Sequence, residues 1–253
     1  MIHVPLNPQR ISQALGNEIG YWRVKVISET TSTQSEIKNV YSPIQHGDLL
    51  ITDFQKNGRG RLNRNFIAPP MRALLFSTFL KPERSNSDWG WFPLIIGLSV
   101  AESLSEITGK SFLTKWPNDV QHEGKKVSGI LCESNQVGII AGIGINVNFA
   151  SSELPVENAS ALNIIVGREF ERELVLAEIL KKISANLKLW DLKQDQLISE
   201  KYLKNSATIG KNVNVELGNG NIVSANAIGI SNNGELILDN GDAVSIGDVT
   251  HLR

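Results

Sequence analysis

The order of apolar and polar positions along the chain divides it into two unlike parts. Tyr21 to Ile27 alternates large apolar residues with basic ones, which predicts a strand. Ser28 to Gln34 is a polar cluster of helix-capping type, and Ser35 to Val40 reads as the helix it starts. Asp48 to Phe54 is a short strand, and Gln55 to Pro70 a long loop rich in Gly, Asn and Arg. Ala73 to Leu80 is an apolar strand. Phe92 to Ile107 has helical spacing and stops at Gly109. Phe112 to Trp116 runs into a turn at Pro117-Asn118-Asp119. Strands at Val127 to Glu133 and Val137 to Val147 follow, joined at Ser134-Asn135-Gln136. Leu176, Ile179, Leu180, Ile183, Leu187 and Trp190 mark one face of a long helix.

From Ser206 onward the texture changes. Val213, Val215 and Leu217 alternate, and Asn/Gly-rich turn signals recur near residues 218, 232 and 240. That spacing predicts a small barrel of about five strands. The expectation is an α+β chain: a mixed, largely antiparallel sheet flanked by helices over residues 1–204, then a barrel over 205–253.

Composition narrows the chemistry. The 253 residues carry 25 basic and 26 acidic side chains, a net charge of −1, and 41% are hydrophobic. Such a chain buries a full core and is not built as a general nucleic-acid binder. The barrel segment has two basic residues, Lys211 and Arg253, against five acidic ones, a poor surface for DNA or RNA. One cysteine, Cys132, excludes an internal disulfide and a cysteine-based zinc site. The N-terminus lacks a signal-peptide pattern and no apolar run reaches the roughly 20 residues of a membrane span. These features predict a cytoplasmic protein.

Five segments hold candidate chemistry. Phe54 to Arg72 has five basic residues and no acidic one, with Gly58 and Gly60 interleaving Arg59 and Arg61. Glycine allows close backbone approach and guanidinium binds phosphate or carboxylate bidentately, so this loop reads as an anion site. A solvated basic loop is the bland alternative. Lys115-Trp116-Pro117-Asn118-Asp119 places an amide and a carboxylate at a strand end, suited to a ribose, a metal ion or an amine, or it is simply a tight hairpin. Lys126 leads into a strand containing Gly129, a sign of close ligand approach. Gly142-Ile143-Gly144-Ile145-Asn146 lacks the third glycine and the helix of a dinucleotide fingerprint; its glycines read as a pocket wall. Ser32-Thr33-Gln34 offers hydroxyls at a helix start, for capping or for a ligand.

Taken in chain order, with Ser32-Thr33-Gln34 first, the five motifs resemble the biotin protein ligases over roughly Val24 to Phe149. The resemblance implies the catalytic fold shared with class II aminoacyl-tRNA synthetases, an SH3-like C-terminal barrel, and the monofunctional class without a DNA-binding domain. It implies ATP and Mg2+ as co-reactants and biotin as substrate. Biotin becomes biotinyl-5′-AMP and is then passed to a lysine of a biotin carboxyl carrier protein domain. By the same resemblance, Ser32, Thr33, Gln34, Gln55, Gly58, Arg59, Gly60, Arg61, Lys126 and Gly129 face biotin. Arg61, Arg64, Phe66, Asn118, Asp119, Lys126 and Asn146 face the adenylate or its metal. Lys126 and Arg61 are the catalytic pair. Gln34, Leu62, Asn63 and Phe66 depart from the family pattern, which has Asn, Arg, Gly and Trp there. A homodimer through sheet edges occurs in the family. A lipoate-type ligase or acyltransferase on the same fold and a non-catalytic biotin-binding protein are the other readings.

Overall fold

The computed structural model describes residues 4–61, 64–217, 220–245 and 247–251. The departures at Leu62 and Asn63 fall outside them. A seven-stranded sheet forms the larger layer. Its strands are β1 (Arg23–Thr30), β2 (Asp48–Gln55), β5 (Ala73–Leu80), β6 (Leu113–Lys115), β7 (Asp119–His122), β8 (Lys125–Ser134) and β9 (Ile139–Asn146), in the order β1-β2-β5-β9-β8-β7-β6. β1 and β2 are parallel, joined through α2 (Thr33–Val40); every other neighbouring pair is antiparallel. The hairpin β3 (Gly58–Arg59) and β4 (Asn65–Phe66) stands apart from this sheet.

Side-chain alternation assigns the two faces. Leu74, Phe76 and Leu80 of β5 and Ile139, Ala141, Ile143 and Ile145 of β9 enter the main core. Against that core pack α1 (Pro8–Leu15), α3 (Phe92–Thr108), α5 (Arg172–Asp191) and α6 (Asp195–Lys204). α3 buries residues all round its circumference between the sheet and α5, which is why it reads as a nearly unbroken apolar run. It ends at Gly109 in the left-handed conformation expected of a C-terminal glycine.

The opposite face is apolar only at its ends. Leu50, Phe79 and Ile140 pack under Ile37 and Tyr41 around α2. Ala73 and Leu75 pack with Ala68, Phe149 and Phe66. Between these clusters the face carries Ser77, Gly142 and Gly144, with Ser77 opposite Gly142, Leu75 opposite Gly144, and Gly129 opposite Gly144. The missing side chains leave a hollow in an otherwise filled surface.

Strands β10 (Asn212–Leu217), β11 (Ile222–Ile230), β12 (Leu236–Leu238), β13 (Ala243–Val244) and β14 (Gly247–His251) form a five-stranded antiparallel sheet in the order β13-β12-β11-β10-β14. Its turn at Ser231–Glu235 sits against the larger layer. Trp91 Nε1 donates to Ser231 O at 3.0 Å and Trp116 Nε1 to Gly234 O at 3.3 Å. A Cβ on Gly90 would lie 1.9 Å from Asn233 O, so only glycine permits this approach.

Several expectations need correction. Ser28 to Thr30 belongs to β1, because its backbone pairs with β2, and the helix begins at Thr33. Asp119 opens strand β7 rather than completing a turn. The long loop contains the β3–β4 hairpin. Helices α1 and α6 were not predicted; α1 has a legible start, with Asn7 Oδ1 accepting from Gln9 N and Arg10 N and Pro8 in its first turn.

His251 on β14 makes a 3.2 Å hydrogen bond through Nε2 with Thr208 Oγ1, which in turn accepts from Trp116 N. Burial first, then Lys115 and Lys211, push the ring below its ordinary pKa of 6.5. The folded chain then binds fewer protons than the unfolded one, so this contribution to stability is present above pH 6.5 and is lost as pH falls below it. Thermal midpoints measured from pH 7.5 to 5.5 should fall, and His251→Gln should flatten part of that slope.

Candidate active site

The hollow is the floor of a cavity of about 150 Å³. Its lining comes from separate parts of the chain: the start of α2, the end of β2, the Gly-Arg hairpin, the Asn118-Asp119 corner, β8, β9 and Asp248 of β14. Along β9, Gly142 and Gly144 are two residues apart, about 6.6 Å, and the two ends of the cavity differ in chemistry.

At the Gly142 end the groups are neutral and polar. Gln55 Oε1 accepts from Thr33 N at 2.7 Å and Thr33 Oγ1 at 3.0 Å. Thr33 Oγ1 lies 2.8 Å from Ser77 Oγ. Ser32 occupies the N-cap position of α2, yet its side chain makes no capping bond. Its hydroxyl is buried with no partner among the described residues, so it remains available to a ligand.

The Gly144 end is charged. Lys126 Nζ stands 2.6 Å from Asp119 Oδ1. The contact is a close ion pair, and it occupies this buried oxygen. The backbone of Lys126 is strapped in place: its N donates to Asn158 O at 2.7 Å and its O accepts from Ser160 N at 2.8 Å. Arg61 Nη1 donates to Asn118 Oδ1 and Gly247 O, both at 3.3 Å. Burial lowers the Arg61 pKa from its ordinary value, opposed by Asp248 and Asp119. A guanidinium stays protonated regardless, so the effect is an under-solvated cation that gains from an anionic ligand. Arg64 forms an ion pair with Asp248, and Arg59 a two-pronged pair with Glu133 at 3.1 and 2.5 Å.

The aromatic ring of Phe66 lies over the glycine floor; a Cβ on Gly144 would meet it at 2.6 Å. Lys126 lies over Gly129, whose added Cβ would stand 3.3 Å from its Nζ. The structure thus brings Ser32, Thr33, Gln34, Gln55, Arg59, Gly60, Arg61, Arg64, Phe66, Asn118, Asp119, Lys126 and Gly129 to one cavity. Gly58 and Asn146 are not on its lining. Gly58 abuts Gln55 and the Phe66 carbonyl, and a Cβ there would lie 2.4 Å from Phe66 O. Asn146 is buried behind the floor, donating through Nδ2 to Ser160 O at 2.9 Å, with Oδ1 unpartnered among the described residues.

Sequence reasoning missed Ser77, Glu133 and Asp248. Ser77 had a signal, a hydroxyl in an apolar strand facing the wrong way for the main core. Asp248 had none, since it approaches Arg64 from the other sheet. Among the described residues no group of three or more His, Cys, Asp or Glu could hold a metal ion, and no helix is long and apolar enough to cross a membrane.

Comparison with known proteins agrees with this geometry. Residues 24–150 match the Biotin/lipoate A/B protein ligase family, and residues 208–252 match the Biotin protein ligase C terminal domain. A biotin–[acetyl-CoA-carboxylase] ligase of Mycobacterium tuberculosis is 32% identical, the match covering 98% of this chain and 97% of that protein. The bifunctional ligase/repressor BirA of Bacillus subtilis is 30% identical over 87% of this chain and 69% of its own length. The solved biotin protein ligase from Aquifex aeolicus, in complex with biotin and ATP, superimposes with a TM-score of 0.80 at 34% identity, covering 91% of this chain and 99% of the other. The chain belongs to the biotin protein ligase family.

Proposed function

We propose that this protein joins biotin to a lysine of a biotin carboxyl carrier protein domain, using ATP. The observation that supports the reading best is the two-ended cavity, with neutral donors and acceptors at one end and Lys126 and Arg61 at the other. Biotin has that polarity: a ureido ring system, an alkyl chain and a terminal carboxylate. Gly142, Gly144 and Gly129 let the side chains of Gln34, Phe66 and Lys126 settle close to the sheet, which keeps the cavity between them open to a ligand.

In the first step a biotin carboxylate oxygen attacks the α-phosphorus of ATP. The new bond is the acyl–phosphate ester; the bond between the α- and β-phosphates breaks and pyrophosphate leaves. Lys126 and Arg61 bring two anions together and neutralise charge that builds on the α-phosphate, the work that fixed cations do best. In the second step the carrier lysine amine attacks the acyl carbon, and AMP leaves with loss of a proton. No protein nucleophile is required. Cys132 is partly buried on β8, where desolvation first and Glu133 second raise its thiol pKa.

We assign Ser32, Thr33 and Gln55 to the biotin head. Arg59, Gly60, Arg61 and Arg64 form the loop over the adenylate, and Asn118, Asp119 and Phe66 face the nucleotide. Asn146 Oδ1 is an open acceptor behind the floor. Mg2+ usually binds through one or two carboxylates plus substrate phosphates, and the Asp119 carboxylate on the cavity lining would fit that mode. Bound there, the ion supplies charge neutralisation at the phosphates. We place the reaction in the cytoplasm and the boundary between the catalytic and C-terminal parts near residue 204.

A lipoate-type ligase would present a mostly apolar tunnel to its acyl chain. The hydroxyl and amide groups at the Gly142 end favour a polar head instead. The test is pyrophosphate exchange into ATP. Exchange should appear with biotin, and a carrier domain incubated with biotin and Mg-ATP should gain one biotinyl group by mass spectrometry. Exchange driven by lipoate or octanoate, and not by biotin, overturns the reading.

A further inference from the structure

Gln34 does not behave as a ligand-binding amide. It is buried at 5% exposure. Its Nε2 donates to Ile140 O at 3.1 Å and to Glu133 Oε2 at 3.2 Å, while its Oε1 accepts from Ser77 Oγ at 3.2 Å. Both amide hydrogens are spent within the protein, so no donor remains for a substrate. The carboxamide sits close against Gly142 of β9: a Cβ there would stand 2.6 Å from Gln34 Oε1. Gly142 is thus covered by Gln34, as Gly144 is covered by Phe66.

We infer that Gln34, seated on Gly142, is the end wall that sets the depth of the head pocket and so determines which ring systems enter. The inference rests on the biotin reading above. The hydrogen-bonding to a substrate head is left to Ser32, whose hydroxyl is unpartnered, and to its neighbours Thr33 and Gln55. Gln34 acts by excluding volume. Its length matters more than its polarity, because Asn keeps the amide but is one methylene shorter. A single methylene in a tight pocket is worth roughly 10- to 200-fold in discrimination.

The test uses Gln34→Asn, Gly142→Ala and the double variant, with each thermal midpoint recorded to confirm folding. Equilibrium binding is measured for biotin and for two head-enlarged analogues, biotin sulfone and a biotin methylated on one ureido nitrogen. Gly142→Ala pushes the amide into the pocket and should weaken biotin binding about tenfold or more. Adding Gln34→Asn should restore it to within about threefold of the unsubstituted chain, because the shorter amide makes room for the methyl group. Gln34→Asn alone should raise the affinity for at least one analogue relative to biotin about tenfold. Two outcomes overturn the inference. One is a loss of biotin affinity in Gln34→Asn without that relative gain for either analogue, which would make the amide a direct ligand. The other is a double variant no better than Gly142→Ala. An unsubstituted chain that binds no biotin overturns the function proposed above, a failure distinct from either of these.

Discussion

Lys126→Ala should lower biotin-dependent pyrophosphate exchange about 100- to 1,000-fold, the usual loss when one fixed charge aimed at a developing oxyanion is removed. The substitution acts twice. It deletes the cation 2.6 Å from Asp119, and it leaves that carboxylate facing the incoming phosphates without its counter-charge. Lys126→Ala combined with Asp119→Asn should therefore recover part of the loss if repulsion contributes, a coupling that separates the two effects. Folding should be little changed, since the Lys126 side chain is 40% exposed and such pairs contribute less than about 1 kcal/mol. Arg61→Ala should show a comparable loss. Unchanged exchange rates in both variants would remove these residues from the chemistry.

The largest effect on stability comes from residues outside the cavity lining. Arg172 at the start of α5 is buried and pairs with Asp53 of β2 at 2.6 Å. It also donates to Val4 O at 2.8 Å and to Ala73 O at 3.2 Å, while Asp53 accepts from Leu6 N at 3.2 Å. One guanidinium thus ties the N-terminal segment, two strands and a helix. Arg172→Met strands a buried carboxylate and should cost about 3–5 kcal/mol. For a chain of this size that is a fall of roughly 10 °C in thermal midpoint. Arg172→Met with Asp53→Leu should regain much of it, because the unpaired charge is then gone. A midpoint that does not move with Arg172→Met would show that the pair adds nothing.

Much of the fold was legible because each buried element carries its own period. β5 spans Ala73 to Leu80 as expected, since a strand covered on both faces is a continuous apolar run bounded by polar residues. α3 and its glycine stop were equally clear. The four-residue strand β7 and the two-residue strands β3 and β4 were not, because their pairing is set by the partner strand and not by any period of their own. The cavity lining was legible where its residues cluster in sequence, as from Arg59 to Arg61. It was illegible where tertiary contact does the work. Nothing in Ser245 to His251 announces that Asp248 will meet Arg64, nor does residue type say that Gln34 will rest on Gly142.

The approach of Gly90 to the Ser231–Glu235 turn also bears on how the molecule can change over time. Backbone meets backbone there, so no side chain is available to be trimmed or repacked when a neighbour varies. The carbonyl of Gly247 and the carboxylate of Asp248, both supplied by the smaller sheet, hold Arg61 and Arg64 in the place where phosphates are expected. The smaller sheet is thus a fixed jaw of the vice. A graft that exchanged it for the corresponding piece of a relative would have to import residues 90, 91 and 116 along with it.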